Sequence, residues 1–175
     1  NYSYMTVNDM NGDGYNYDAI YVPTDAEVES GAFRFVSQDD QDRFMAFLHN
    51  NKSLSKYQGK YAEGYSVYNP WVHRVDFSYK HDFKLNIGST KHTLQLGIDI
   101  KNLLNLFNSS WGVSKTLNSA IGSDARILKY EGVDAQGIAT FSTPSAINAD
   151  TKLFTPLHAL GQCWNMGITV KYIFN

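Results

Sequence analysis

The sequence predicts an all-β fold whose antiparallel strands cross a bilayer as part of a β-barrel. Three observations predict it. First, the closing segment alternates: Trp164, Met166, Ile168, Val170, Tyr172 and Phe174 are apolar or aromatic, while Cys163, Asn165, Gly167, Thr169, Lys171 and Ile173 are small or polar except the last. Successive side chains on a strand point to opposite faces, so this strand has one greasy and one wet side. Its length suits an oblique bilayer crossing, which takes roughly 9–11 residues. Second, Trp71–Phe83 and Thr93–Leu106 alternate in the same way. Third, the chain carries 12 Tyr and 10 Phe in 175 residues, yet its mean hydropathy is negative. No run approaches about 18 apolar residues, so no transmembrane helix is expected, a fact that does not bear on a barrel.

The elements follow in chain order. Asn1–Val7 reads as the end of a strand, with Tyr2 and Tyr4 on one face. Asp9 to Asp18 is an acidic, glycine-rich loop. Hard cations such as Ca2+ want several oxygens at once. Asp9, Asn11 and Asp13 fill the first, third and fifth positions of an EF-hand-like pattern, Gly14 the sixth, and Tyr15 would offer its carbonyl at the seventh. Position twelve is Ile20 where an EF-hand has Glu, and Asp18 is the one later carboxylate. Two readings stand side by side: a loose Ca2+ loop on Asp9, Asn11, Asp13, Tyr15 and Asp18, or a metal-free turn held by side-chain-to-backbone hydrogen bonds. Ala19–Pro23 is extended and residues 24–36 are mixed. Ser37 caps a helix that ends near Asn50-Asn51, with Asp39 and Asp40 in its first turn and Phe44, Phe47 and Leu48 along one face. Residues 52–69 read as loop.

In Trp71–Phe83 the apolar face holds Trp71, Val75, Phe77, Tyr79 and Phe83, with His73 and His81 as its polar members. The other face holds Arg74, Asp76, Ser78, Lys80 and Asp82. Five such residues in register cannot enter a dry core without a large desolvation cost; a water-filled lumen accepts them. Residues 84–92 read as a turn around Gly88. In Thr93–Leu106, Leu94, Leu96, Ile98, Ile100 and Leu104 oppose Thr93, Gln95, Gly97, Asp99 and Lys101. The expected lumen-facing charges are therefore Arg74, Asp76, Lys80, Asp99, Lys101 and Lys171. Trp71, Phe83, Trp164, Tyr172 and Phe174 are the expected membrane-girdle aromatics. Residues 107–123 form a loop, Arg126–Glu131 and Ile138–Ser142 a hairpin, and residues 143–160 a long irregular stretch.

Connection lengths give sidedness. Barrels of the outer membrane have short periplasmic turns and long extracellular loops. With a periplasmic C-terminus, the turn at Gly88 falls inside and every long connection outside, including the acidic loop, and Asn1–Val7 runs outward. A net charge of −2 argues against a nucleic-acid partner. The single Cys163 forms no internal disulfide. Starting on Asn1, the chain reads as a piece of something longer.

The terminal Phe174-Asn175 resembles the C-terminal strand of bacterial outer-membrane barrels, where a closing aromatic is part of the assembly signal. Further motifs are Asp9-x-Asn11-Gly12-Asp13-Gly14 followed by Asp18-x-Ile20-Tyr21-Val22-Pro23, Leu54-Ser55-Lys56 with Gly59-Lys60-Tyr61-Ala62-Glu63, and Pro70-Trp71-Val72-His73-Arg74-Val75-Asp76. To these add Asn102-Leu103-Leu104-Asn105, Trp111-Gly112 and Leu128-Lys129-Tyr130-Glu131-Gly132. Together they resemble the C-terminal part of TonB-dependent outer-membrane receptors, nearest to the Oar-like type with a carboxypeptidase-regulatory-like N-terminal domain. The resemblance implies that residues 1–175 are the C-terminal part of one transmembrane domain. It would supply the last four or so antiparallel strands of a 22-stranded β-barrel, with long extracellular loops containing a short helix and a β-hairpin. It also implies outer-membrane location, active import of a large or scarce solute, and as partners the lipid, the rest of the barrel with its plug, TonB through the upstream part, and a surface lipoprotein. A passive porin, an adhesion- or secretion-associated barrel and a secreted, soluble calcium-binding β-protein are the alternatives. An enzyme is the poorest reading, because His49, His73, His81, His92 and His158 have no nucleophile or carboxylate at motif spacing.

Overall fold

The computed structural model describes residues 1–122 and 125–174. Ser123, the end of the expected 107–123 loop, and the terminal Asn175 lie outside the described residues. The chain runs β1 (Met5–Val7), β2 (Tyr21–Val22), α1 (Asp25–Glu29), β3 (Arg34–Phe35), α2 (Gln38–Asn50), α3 (Lys52–Ser55) and β4 (Lys60–Tyr61). It continues through β5 (Phe77–Ile87), β6 (Thr90–Lys101), α4 (Leu103–Phe107), β7 (Lys115–Leu117), β8 (Arg126–Val133), β9 (Ala139–Ser142), β10 (Phe154–Pro156) and β11 (Asn165–Phe174). Strands dominate, as expected. Among the described residues they form four separate sheets, and none of these closes on itself.

The chain divides into two compact units, 1–69 with 116–155 and 70–115 with 156–175. The first unit has a conventional buried core. Tyr4, Ile20, Val22, Phe44, Phe47, Leu48, Leu54, Ile127, Leu128 and Ile147 are fully buried together. Its sheet has the order β1-β8-β9-β3, with β1 parallel to β8, β8 antiparallel to β9 and β3 parallel to β9. Phe33 and Phe141 stack at 4.5 Å between ring centroids. The helix over 38–50 forms where its pattern predicts it. Ser37 accepts a hydrogen bond from the Asp40 amide at 3.1 Å, and Phe44, Phe47 and Leu48 face the core. A second capped helix, α1, escaped the sequence reading: Thr24 and Glu27 form a reciprocal capping box. The hairpin β8–β9 also forms as expected. Its turn closes on Asp134, whose Oδ1 accepts the Gln136 and Ile138 amides.

One expected strand goes elsewhere. Residues 1–7 do not continue a barrel wall. Only Met5–Val7 is a strand, and it joins the first unit's sheet beside β8. Tyr4 and Thr6 are buried there, so packing of these few side chains overrides the local pattern.

The second unit holds a three-stranded antiparallel meander in the order β5-β6-β11. Its hairpin is far tighter than the expected nine-residue turn. Ile87 pairs with Thr90, leaving Gly88-Ser89 as a two-residue loop, and Gly88 has φ +61. A glycine with positive φ in first position is what a type II′ hairpin turn requires. The strands also start and stop later or earlier than expected. β5 begins at Phe77 rather than Trp71, and β6 ends at Lys101, where Asn102 turns into the left-handed region (φ +52) and α4 takes over.

Candidate functional site: a two-faced sheet and an acidic loop

The register of the meander sorts its side chains into two faces. Across β5, β6 and β11 the rows on one face are Phe77–Ile100–Met166, Tyr79–Ile98–Ile168, His81–Leu96–Val170, Phe83–Leu94–Tyr172 and Leu85–His92–Phe174. Every side chain there is apolar or aromatic apart from His81 and His92. His81 sits between Tyr79 and Phe83, with ring centroids 6.3 and 4.6 Å away. His92 and the Tyr172 hydroxyl are hydrogen-bonded. The opposite face carries Ser78–Asp99–Gly167, Lys80–Gly97–Thr169, Asp82–Gln95–Lys171 and Lys84–Thr93–Ile173, with Ile173 the apolar exception. Ser78 donates to Asp99 at 2.6 Å and Gln95 donates to Asp82 at 2.8 Å. Gly97 leaves room for the Lys80 stem, whose Cγ lies 3.4 Å from where a Cβ would be. β5 and β11 are exposed along their whole length on both faces.

Of the six charges expected on the polar face, Lys80, Asp99, Lys101 and Lys171 lie on the strands. Arg74 and Asp76 do not, because the strand begins after them. They belong to a hydrogen-bonded knot at the end of the sheet. Asp76 Oδ1 accepts the Asn102 amide at 2.8 Å. Arg74 Nε donates to the Gly112 carbonyl at 2.9 Å, and its Nη2 bonds the Gln162 side chain. Asn102 Nδ2 donates to the Gln162 carbonyl, and Asn105 Nδ2 to the Ser109 and Trp111 carbonyls. Asn105 Oδ1 receives the Trp164 amide. Asn102 and Asn105 are both buried, so three strand ends and the 109–114 loop are tied through side chains that periodicity does not single out.

The girdle aromatics divide as well. Phe83, Tyr172 and Phe174 gather near the hairpin end, where Tyr172 and Phe174 lie 6.0 Å apart. Trp164 stands just before β11 at the opposite end. Trp71 is off the sheet altogether and 92% exposed.

In the acidic loop the oxygens are turned onto the chain's own amides. Asp9 Oδ1 accepts from Gly12 at 2.7 Å, and Asp9 Oδ2 from Gly14 at 2.8 Å. Asn11 accepts from the Asp13 amide and Asp13 from the Tyr15 amide. Asp18 is spent on the Met10 amide at 2.6 Å. These amides, Gly14 first, hold the Asp9 carboxyl below its ordinary range. Among the described residues no three His, Cys, Asp or Glu side chains gather as a cation site would need. The oxygens that a cation would need are thus engaged by the chain's own amides.

Comparison with protein-family models, with curated proteins and with solved structures returned no match.

Proposed function

We propose that β5, β6 and β11 are wall strands of an outer-membrane β-barrel, and that the barrel is an active transporter of the TonB-dependent receptor type. One observation carries the barrel reading: a continuous sheet has an apolar face and a polar face, and neither face of β5 or β11 is covered. A soluble protein rarely leaves an apolar patch of that extent in water. Hydrocarbon on one side and a wet lumen on the other accommodate both faces. The dimensions agree. Eleven residues in β5, at about 3.4 Å each and tilted about 45°, rise roughly 25 Å, the height of an outer-membrane apolar band. β5 and β11 also end the sheet with unpaired edges, which a longer wall would satisfy.

Sidedness follows from connectivity. Phe77, Ile100 and Met166 form the row from which all long connections leave, and the two-residue turn is at the other end. With that turn periplasmic, the first unit is built from extracellular connections. Lipid then meets the apolar face. The rest of the barrel meets the two edges, and a plug meets Lys80, Asp99, Lys101 and Lys171. Transport driven through TonB, and a surface lipoprotein partner, rest on the motif resemblance alone.

The test is site-directed spin labelling in the cell envelope, in a Cys163→Ser background. Labels at Phe77, Ile98 and Ile168 should relax with oxygen, and labels at Ser78, Asp99 and Thr169 with a water-soluble nickel chelate. Equal aqueous access for both sets, with the chain monomeric in plain buffer, would sink the membrane reading. Solute uptake that survives collapse of the proton-motive force would favour a passive porin instead.

A further inference from the structure

The first unit contains a second feature that owes nothing to the membrane reading. Ser3, Tyr4, Met5, Tyr17, Ala19, Ala62, Gly64 and Tyr65 line an open cleft of about 410 Å³, within the range of small-ligand sites. None of these residues is charged. Tyr17 (61%) and Tyr65 (72%) are exposed there.

Both rings are held in place, Tyr65 with a strained backbone. Tyr65 has φ +55, a left-handed backbone that is unusual for a bulky residue. The Tyr65 amide donates to Ser3 Oγ at 2.7 Å, which fixes this conformation. The Arg126 guanidinium lies 5.1 Å from the centre of the Tyr17 ring, a cation–π contact that orients it. Strained positions of this kind concentrate at ligand clamps. A tyrosine presented in this way offers an apolar ring face and a hydroxyl tip together.

We propose that this cleft binds a neutral carbohydrate of mono- or disaccharide size, with sugar C–H faces against Tyr17 and Tyr65. An ionic ligand lacks a counter-charge among the lining residues. An extended peptide finds much of the flanking backbone already paired. Tyr2 and Val67 exchange both hydrogen bonds, the Thr6 amide donates to the Asp18 carbonyl, and the Ala62 amide donates to the Ile20 carbonyl. A wholly apolar ligand would leave the exposed Tyr17 and Tyr65 hydroxyls unused. A sugar matches rings and hydroxyls together.

The experiment uses the full 175-residue chain in lauryldimethylamine-oxide micelles, which carry no sugar headgroup. Maltose, cellobiose and chitobiose are titrated while methyl and aromatic resonances are followed by NMR. At least one should shift Met5, Ala19, Ala62 and the two tyrosine rings. Tyr17→Ala and Tyr65→Ala should each weaken binding about tenfold or more, whereas Tyr65→Phe keeps the ring and should stay within a few-fold. Tyr68→Ala, outside the cleft, should bind as the parent does. Tyr65→Gly separates fold from site: it removes the backbone strain, so its thermal midpoint should match or exceed that of Tyr65→Ala while binding is still lost. Silence of all three sugars at the cleft would overturn the proposal. So would shifts produced there by a proline decamer but by no sugar.

Discussion

At the scale of single residues, the tightest constraint is at Gly112. Its φ is +65, and a Cβ there would lie 1.9 Å from Asn102 Oδ1. Among the described residues that oxygen is buried with no hydrogen-bond partner, and the missing Cβ lets the Gly112 backbone approach it. Gly112→Ala should therefore destabilise the second unit by about 2–5 kcal/mol, from backbone strain plus overpacking. Gly137→Ala is the control. It has a similar φ of +79 but open space around it, so it should cost only about 1 kcal/mol. Denaturant midpoints of the two variants check the difference. Asp9 supports a pH prediction. Its folded-state pKa is lowered by the amides it accepts, so its contribution is present above the unfolded value and is lost as pH falls through the folded one. Protection of the Gly12 and Gly14 amides, measured by hydrogen exchange, should hold from neutral pH to about pH 4 and fade below it. EDTA should leave that protection unchanged, because the loop is closed by its own oxygens, while Asp9→Ala should abolish it. The acidic residues and glycines of this loop are plain in the sequence. Whether their oxygens turn inward onto amides or outward to a cation is not, since both uses need the same residue types at the same spacing.

At the scale of elements, legibility tracks length. Helix α2 spans 13 residues and has a cap, a charged first turn and an apolar stripe, and all three signals agree. Ser37→Ala should cost about 1 kcal/mol, since one amide of the first turn loses its partner. Phe47→Ala should cost about 3–5 kcal/mol, because the ring is fully buried. Thermal unfolding of the two variants would order them. Helix α1 has 5 residues, too few for periodicity to register, although Thr24-x-x-Glu27 was there to be read. The β5–β6 hairpin was blurred for another reason. Asn86, Lys91 and His92 look like loop residues, yet they extend the ladder to a two-residue turn. The strand limits at Trp71 and Leu106 were overshot because alternation persists in sequence after the ladder stops. The Asn102–Gly112–Gln162 knot that ends the ladder is made by contacts distant in the chain.

At the scale of the whole molecule, the wet-and-greasy division of three long strands was readable residue by residue, while the first unit was not. Its strands are mostly two to four residues long, and its core is assembled from two segments, 1–69 and 116–155, that are far apart in the chain. The sheet's register turns the membrane proposal into a depth profile. Its apolar rows descend from Phe77–Ile100–Met166 to Leu85–His92–Phe174, so the His81–Leu96–Val170 row lies nearest the middle. In a bilayer, a cation costs about 2–4 kcal/mol at the midplane and about 0–1 near either interface. Leu96→Arg should therefore be the most costly change on β6. Ile98→Arg should follow, and Ile100→Arg should be cheap. On the other face Gln95→Arg and Asp99→Arg should be nearly silent at every depth, because water already wets those positions. Unfolding from lipid vesicles by guanidinium would give the five values. A cost that falls steadily from Leu96 through Ile98 to Ile100, beside a flat one at Gln95 and Asp99, is the outcome that hydrocarbon against one face imposes. A flat profile on both faces means water reaches both, and larger costs at Gln95 and Asp99 mean that the face carrying Lys80 and Lys171 is the dry one.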